Sequence, residues 1–198
     1  MRQKVIQKIL GVLLFGFGLI LLTPIIISLI YDDGTYYSFM IAAFLNLLIG
    51  FSLWAPNRKS EDELKIRDGF VGVVLFWVVL SIGGAVPFII TNSIELTFFE
   101  AIFESFSGLT TTGATVISNL EILPQSILFY RQLLQWLGGM GIIVLAVAIL
   151  PILGVGGMQL YKAETPGPNK DSKLTPRIKE TAKALWAIYV ALTCLCAM

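Results

Sequence analysis

The chain has 198 residues, of which 56% are hydrophobic and only 14% are charged, and its mean hydropathy is +0.82. A soluble domain carries about 25% charged residues, so this composition excludes a water-soluble fold and predicts an all-α integral membrane protein. The net charge of +1 gives no sign of a nucleic-acid partner, and we expect none. The lack of histidine and the presence of only two cysteines argue against a metal centre, a disulfide framework or an enzyme.

Charged residues divide the chain into long apolar runs. Four uncharged runs have 23, 24, 26 and 30 residues and occupy positions 9–31, 34–57, 69–94 and 132–161. A spanning helix needs about 20 apolar residues to cross about 30 Å of hydrocarbon, so each run predicts a transmembrane helix. A fifth run, 184–198, has 15 residues and is too short to cross by itself.

A shorter apolar segment lies between the third and fourth runs. Thr97 is followed three residues later by Glu100, which is the capping-box pattern of a helix start, and Gly108 is predicted to stop the same helix. A helix of about 11 residues is about 16 Å long, which is half of a bilayer. We therefore expect it to enter the membrane and return, which requires protein or water to satisfy the returning backbone.

These elements predict two leading transmembrane helices, one helix–pore-loop–helix repeat and the start of a second repeat. The predicted divisions are the two leading helices (1–57), a cytoplasmic loop (58–68), the first pore repeat (69–161), a second cytoplasmic loop (162–183) and a truncated start of the second repeat (184–198). The expected parts of the pore repeat are a helix at 69–92, a pore helix at 97–108, a filter at 110–116 and a helix at 125–150.

Basic residues are distributed unevenly over the predicted loops. If the N-terminus and the loops after the second and fourth spans share one side, that side holds thirteen of the fourteen Lys and Arg residues, and only Arg131 lies opposite. The positive-inside rule then places the N-terminus in the cytoplasm. A full crossing by residues 96–108 would remove this asymmetry, which favours the half-length helix.

The segment LTTTGATV, from Leu109 to Val116, follows the short helix and carries the chemistry. A helix C-terminus has about half a negative charge and favours a cation beside it. Carbonyls beyond the helix can replace the water around an alkali cation, Gly113 allows backbone angles that turn successive carbonyls the same way, and threonine hydroxyls add oxygen ligands. The segment predicts a cation filter, and a plain re-entrant turn or an extracellular hairpin is the alternative.

The sequence resembles a known membrane family over essentially its whole length. The stretches FESFSGLTTTGATVIS, QWLGGMGI, AETPGP and LTPRIKETAKALW resemble the first pore repeat of the bacterial Trk/Ktr potassium-uptake family. The resemblance implies four covalently linked pore repeats around one potassium pathway. It also implies that potassium is the permeant ion, that no organic cofactor is present, and that the ion is bound by carbonyls and a threonine hydroxyl from Thr111, Thr112, Gly113 and Ala114.

The same resemblance implies a location and partners. We expect a multi-pass protein of the bacterial inner membrane, in contact with membrane lipid, that forms a homodimer of complete subunits and docks a cytoplasmic nucleotide-binding regulatory ring. The filter reads T-T-G-A-T, whereas many potassium channels read T-V-G-Y-G. The missing tyrosine and second glycine imply a less rigid filter with weaker discrimination among potassium, rubidium and sodium.

The length of the chain leaves more than one functional interpretation open. One complete repeat and the start of another indicate a fragment of a larger uptake subunit that transports potassium across the inner membrane through a carbonyl-lined filter. A short protein that assembles as a tetramer of single repeats is a second interpretation. A non-conducting truncated membrane scaffold, or a dominant-negative subunit, is the alternative of another class.

Charged residues near the predicted filter have competing interpretations. Arg131 is expected to extend its side chain to the membrane interface, with an ion pair to Glu104 or Glu121 as the alternative. Glu100 and Glu104 could concentrate cations at the mouth of the pore. The capping box already explains Glu100.

Several small or polar residues have structural interpretations. The glycines of QWLGGMGI are expected to let helices approach one another behind the filter. Cys194 and Cys196 are expected to be small membrane-facing residues. Asp32 and Asp33 are expected to form a turn.

Overall fold

The computed structural model describes residues 3–58, 66–153 and 174–197. Within these ranges the regular elements are helices: α1 Gln3–Ile20, α2 Leu22–Tyr31, α3 Tyr36–Trp54, α4 Ile66–Ile90, α5 Phe98–Leu109, α6 Gln125–Leu153 and α7 Leu174–Ala197. Short 3₁₀ turns follow α3 at Ala55–Asn57 and precede α6 at Leu120–Ile122. The predicted all-α membrane fold is confirmed.

Three stretches of the described chain are long and apolar enough to cross a membrane, namely Gln3–Tyr31, Tyr36–Asn57 and Val71–Ile90. The first contains α1 and α2, which are separated at Leu21. Much of the predicted loops at 58–68 and 162–183 lies outside the described residues. Helix α7 includes residues 174–183, which belong to the segment expected to be a loop.

Contacts divide the chain into two units, Met1–Trp136 and Leu137–Met198. In the first unit α1 packs along α3, and glycines lie where the two helices cross. A Cβ on Gly11 would lie 2.6 Å from the backbone nitrogen of Trp54, and a Cβ on Gly50 would lie 2.6 Å from that of Phe15. Such small residues let helices approach closely in lipid, where packing drives association.

The core of the first unit joins the leading helices to the pore repeat. Helix α4 contacts α1, α3 and α5. The largest fully buried hydrophobic side chains come from the leading helices, α4 and α6, namely Leu21, Phe39, Phe88, Ile127, Tyr130 and Leu134. The leading helices therefore share one packed interior with the segment that carries the candidate filter.

The turn between α2 and α3 holds the start of α6. Asp32 ends α2 in the left-handed conformation, with φ of 49°. The Asp33 carboxylate accepts hydrogen bonds from the Ser126 backbone N–H at 3.0 Å and from the hydroxyls of Ser28 and Thr35. Burial raises the pKa of Asp33, but hydrogen bonds from Ser126, Ser28 and Thr35 outweigh it and lower the pKa to about 2. Asp33 therefore caps α6 from another part of the chain.

The second unit contains the later part of α6 and helix α7. A Cβ on Gly139 would lie 2.7 Å from the hydroxyl oxygen of Tyr189, so α6 and α7 approach closely at this glycine. Cys194 and Cys196 are exposed free thiols on α7. That the glycines of QWLGGMGI pack behind the filter stays a prediction.

Candidate cation filter

The start of α5 is fixed by its first turn. The Thr97 hydroxyl accepts a hydrogen bond from the Glu100 backbone N–H at 3.4 Å, and the Glu100 carboxylate accepts one from the Thr97 backbone N–H at 2.8 Å. The predicted capping box is confirmed. Hydrogen bonds from the Thr97 hydroxyl and then from its N–H lower the pKa of Glu100. At 12 residues, α5 is about 18 Å long and too short to cross a bilayer.

The end of α5 forms a Schellman motif. The N–H of Thr111 donates to the Gly108 carbonyl at 3.0 Å, and the N–H of Thr112 donates to the Ser107 carbonyl at 2.9 Å. This motif needs a left-handed residue just after the helix, and here that residue is Thr111, with φ of 58°. A β-branched residue in this conformation costs about 1–2 kcal/mol, so backbone strain is stored where the filter begins.

The prediction that Gly108 stops the helix is wrong. Helix α5 continues to Leu109, and Gly108 lies inside its last turn. A Cβ on Gly108 would lie only 2.9 Å from the Cβ of Leu134 on α6. Packing against α6 therefore explains this glycine, and Thr111 takes the left-handed position instead.

The segment after the helix presents open backbone oxygens. Residues 110–116 are all exposed. Within the described part of the chain, the carbonyls of Thr111, Thr112 and Gly113 accept no hydrogen bond. Gly113 has φ of 73°, which other residues adopt only with strain. The left-handed conformation occurs at Thr111 and again at Gly113, two residues later.

The threonine hydroxyls of this segment are linked to one another and to the helix end. The Thr110 hydroxyl donates to the Phe106 carbonyl at 2.7 Å and lies 2.9 Å from the Thr112 hydroxyl oxygen. The Thr111 hydroxyl donates to the Thr110 carbonyl at 2.7 Å. Each hydroxyl oxygen keeps acceptor capacity, because a hydroxyl has two lone pairs.

The following residues are held tightly. The Ser107 hydroxyl donates to the Ala114 carbonyl, so this carbonyl differs from the three before it. One oxygen of the Glu104 carboxylate accepts hydrogen bonds from the Thr115 hydroxyl at 2.6 Å and from the Val116 backbone N–H at 2.7 Å. Two side chains of α5 therefore fix the distal end of the exposed segment.

Arg131 completes this attachment from α6. Its Nη1 lies 3.2 Å from the second Glu104 carboxylate oxygen and donates to the Thr115 hydroxyl at 3.1 Å. The Arg131 and Glu104 side chains are 11% and 2% exposed, so this is a buried ion pair. The pairing of Arg131 with Glu104, the alternative to a side chain extended to the membrane interface, is confirmed. A carboxylate so enclosed does not concentrate cations at a pore mouth.

Comparison with known proteins identifies the family. A family model described as TrkH, cation transport protein, matches residues 36–198. The chain belongs to the TrkH family. The resemblance to Trk/Ktr proteins seen in the sequence is therefore confirmed. The apolar helices agree with a multi-pass membrane protein.

Relatives within the TrkH family match the chain along nearly its whole length. The Trk system potassium uptake protein TrkH of Escherichia coli K12 is 60% identical over 198 residues, which is 100% of this chain and 41% of the relative. The protein TrkG of the same organism is 43% identical over 193 residues, 98% of this chain and 40% of the relative. The chain thus spans about two fifths of the length of these curated relatives.

A solved structure agrees with the fold. The crystal structure of the potassium transporter TrkH from Vibrio parahaemolyticus superimposes with a TM-score of 0.84 at 51% identity. It covers 98% of this chain, and this chain covers 38% of it. The arrangement of helices described above is therefore that of a TrkH-family member.

The sequence alone does not single out every residue that shapes the site. Ser107 lies in the last turn of α5, and nothing in its local pattern indicates that its hydroxyl reaches the Ala114 carbonyl. The left-handed conformation of Thr111 is also unexpected, because glycine usually occupies that position. A useful signal would have been the lack of glycine or asparagine directly after the predicted helix.

Proposed function

We propose that this chain is the N-terminal part of a potassium-uptake transporter and that residues 111–114 supply one part of its ion filter. The observation that carries the proposal is that Thr111, Thr112 and Gly113 are exposed residues whose carbonyls accept no hydrogen bond within the described residues. The names of the E. coli relatives, both potassium uptake proteins, support the choice of ion.

The physical argument rests on what a dehydrated cation needs. Neutral carbonyl oxygens replace the hydration shell of potassium without holding it as tightly as carboxylates would. The C-terminal end of α5 adds about half a negative charge beside these oxygens. Thr111 and Gly113, which both have positive φ, lie on either side of Thr112. This arrangement helps to turn successive carbonyls to one side.

The rest of the coordination must come from outside this segment. One chain segment of four residues cannot surround an ion, and its exposed face leaves room for further ligands. We propose that three more pore repeats of the complete subunit provide them. Thr111, Thr112 and Gly113 then contribute open carbonyls, whereas the Ala114 carbonyl binds potassium with its remaining lone pair.

The proposed transport needs no enzymatic step in this subunit and no organic cofactor. Moving one positive charge inward is worth about 2.3 kcal/mol per 100 mV of membrane potential. That free energy can concentrate potassium by itself. We propose a location in the bacterial inner membrane with a cytoplasmic N-terminus, a homodimer of complete subunits, and a cytoplasmic nucleotide-binding ring as regulator.

A chimera tests this function. In the chimera, the 198 residues of this chain replace the matching residues of E. coli TrkH. We expect the chimera to restore growth on limiting potassium to a host that lacks its own potassium uptake, and to take up potassium faster than sodium. Normal amounts of chimera in the membrane without potassium-dependent growth would contradict the proposal.

A flux measurement distinguishes the alternative function, a non-conducting scaffold, from a conducting assembly of single repeats. The chain spans about two fifths of its relatives, so the isolated 198 residues are expected to carry no potassium flux when reconstituted in liposomes. Potassium flux from the isolated chain would overturn the scaffold interpretation of the short form and would favour assembly of single repeats. Inhibition of the E. coli relative by the co-expressed chain would favour the dominant-negative interpretation.

A further inference from the structure

Helix α4 contains a proline that interrupts its hydrogen bonds. Pro87 is fully buried inside this helix and has no N–H to donate to the carbonyl of Gly83, four residues earlier. In hydrocarbon, a carbonyl without a partner is costly, and neighbouring helices commonly supply the missing donor. The donors at this position identify the residues that hold the interruption in place.

The first donor comes from α3. The Asn46 side-chain amide donates to the Gly83 carbonyl at 3.2 Å and to the Ala42 carbonyl of its own helix at 2.8 Å. Asn46 is only 2% exposed, and its Oδ1 has no hydrogen-bond partner. That oxygen would lie 2.3 Å from a Cβ on Gly83, so it faces the glycine Cα–H, which is a weak donor.

The second donor comes from α6. The Tyr130 hydroxyl donates to the Gly84 carbonyl at 2.7 Å, and Tyr130 is fully buried. Its ring packs against Phe39 and Phe88, with ring centroids 5.2 Å away in each case. The carbonyls of Gly83 and Gly84 are therefore held by side chains from two different helices.

The pore helix α5 rests at the same place. The Ser105 hydroxyl oxygen, fully buried and without a hydrogen-bond partner, would lie 2.6 Å from a Cβ on Gly84. Ser105 directly follows Glu104 and lies two residues before Ser107. Glu104 and Ser107 are the residues that hold the distal end of the filter. A displacement of α5 at Gly84 would therefore move both attachments of the filter.

We propose that Asn46 and Tyr130 are positioning residues for the filter, because Asn46 holds the Gly83 carbonyl that Pro87 leaves without a helix donor and Tyr130 holds the neighbouring Gly84 carbonyl, and together they fix where α5 rests on α4. The proposal depends on the potassium-filter function proposed above. The two leading helices then have a role in ion selection through α3, in addition to filling space beside the pore repeat.

The test is the ratio of potassium to sodium uptake by the chimera, per amount of protein in the membrane. Asn46→Leu and Tyr130→Phe each remove one donor, and the second keeps the aromatic packing. Hydrogen bonds between membrane helices average about 0.6 kcal/mol and reach about 1.7 kcal/mol. We therefore expect the uptake ratio to fall by about threefold to about eighteenfold in each variant, since 1.36 kcal/mol corresponds to a factor of ten. A loss of folded protein alone would lower the amount without changing the ratio.

The chain offers a matched control at Pro24, near the start of α2. Pro24 removes the N–H that would bond to the Ile20 carbonyl, and the exposed Thr23 hydroxyl of the same turn donates to that carbonyl at 2.8 Å. Thr23→Val therefore also removes a donor from a carbonyl freed by proline, at a position that does not touch α5. We expect its uptake ratio to equal that of the unaltered chimera.

A second background tests the role of Pro87 directly. Pro87→Ala restores the helix N–H, so the Gly83 carbonyl no longer depends on Asn46. We expect Asn46→Leu to change the ratio less in this background than in the unaltered one. If the chimera takes up potassium but Asn46→Leu and Tyr130→Phe leave the uptake ratio unchanged, the positioning role is wrong. An equal effect of Asn46→Leu on the ratio in both backgrounds would also overturn it. Failure of the unaltered chimera to take up potassium would instead reject the proposed function.

Discussion

The two halves of the candidate filter differ in how the fold holds them. The proximal half, Thr111–Gly113, presents exposed carbonyls that accept no hydrogen bond within the described residues. The distal half, Ala114–Val116, is tied to α5 through Ser107 and Glu104. The difference indicates that polar contacts with α5 fix the distal end of the segment. The oxygens at the proximal end are left available to a ligand.

The difference also has an electrostatic side. The distal half depends on a buried ion pair between Glu104 and Arg131, whose charges satisfy each other. The proximal half has only neutral oxygens beside the helix C-terminus, which suits reversible binding of a monovalent cation.

The largest effect is expected in the proximal half from Gly113→Asp. Gly113 has φ of 73°, and a carboxylate there would both strain the backbone and trap cations. We expect the chimera with this change to lose growth on limiting potassium entirely. Gly34→Asp is the matched control, because Gly34 also has φ of 73° and also has open space around its Cα. Growth of the Gly113→Asp variant equal to that of the unaltered chimera would show that the filter assignment is wrong.

The next effect is expected in the distal half from Arg131→Leu. Removal of one partner from a buried ion pair typically costs about 3–5 kcal/mol, because the remaining charge stays buried. We expect the purified chain in detergent to lose about that much stability, measured as a lower midpoint of thermal unfolding. Glu121→Gln, which changes an exposed carboxylate, should leave the midpoint unchanged. An unaltered midpoint in Arg131→Leu would mean that the pair does not hold the distal half.

A smaller effect is expected from pH, through the turn that caps α6. The pKa of Asp33 is lowered to about 2, so its ionised form stabilises the fold fully above about pH 4, and this contribution disappears as the pH falls through about 2. Partial exposure reduces the contribution to about 1–2 kcal/mol. We expect the unfolding midpoint of the unaltered chain to drop more between pH 4 and pH 2 than that of Asp33→Asn. Parallel curves for the two proteins would remove Asp33 from the attachment of α6.

The smallest effect is expected from Thr111→Gly in the proximal half. Glycine adopts the left-handed conformation without the penalty of a β-branched side chain, so this change should raise stability by about 1 kcal/mol. We also expect slower potassium uptake by the chimera, because a more flexible residue holds its carbonyl less firmly. Lower thermal stability of the variant would contradict the assignment of strain to Thr111.

Local signals in the sequence predict part of this arrangement well. The capping box at Thr97 and Glu100 follows from two residues three positions apart, and the half-length helix follows from the spacing of charges and caps. Contacts between distant residues are a different matter. Arg131 has two possible partners, and no local pattern favours Glu104 over Glu121 or excludes an extended side chain.

The remaining contacts depend on tertiary packing that no local pattern encodes. Gly108 matched the usual stop signal, but packing against Leu134 explains it better. The bond between Asn46 and Gly83 joins residues 37 positions apart, and only a polar side chain within an apolar helix marks it. Such a residue, together with a proline four positions after a glycine, is a signal that could have been used.

The most direct test of the central claim is to locate an alkali ion by diffraction. Crystals of the chimera grown with rubidium in place of potassium would be measured at the rubidium absorption edge. The account predicts an anomalous peak at ligand distance from the carbonyls of Thr111, Thr112 and Gly113. Rubidium peaks only elsewhere in the molecule, with none beside these three oxygens, would contradict it.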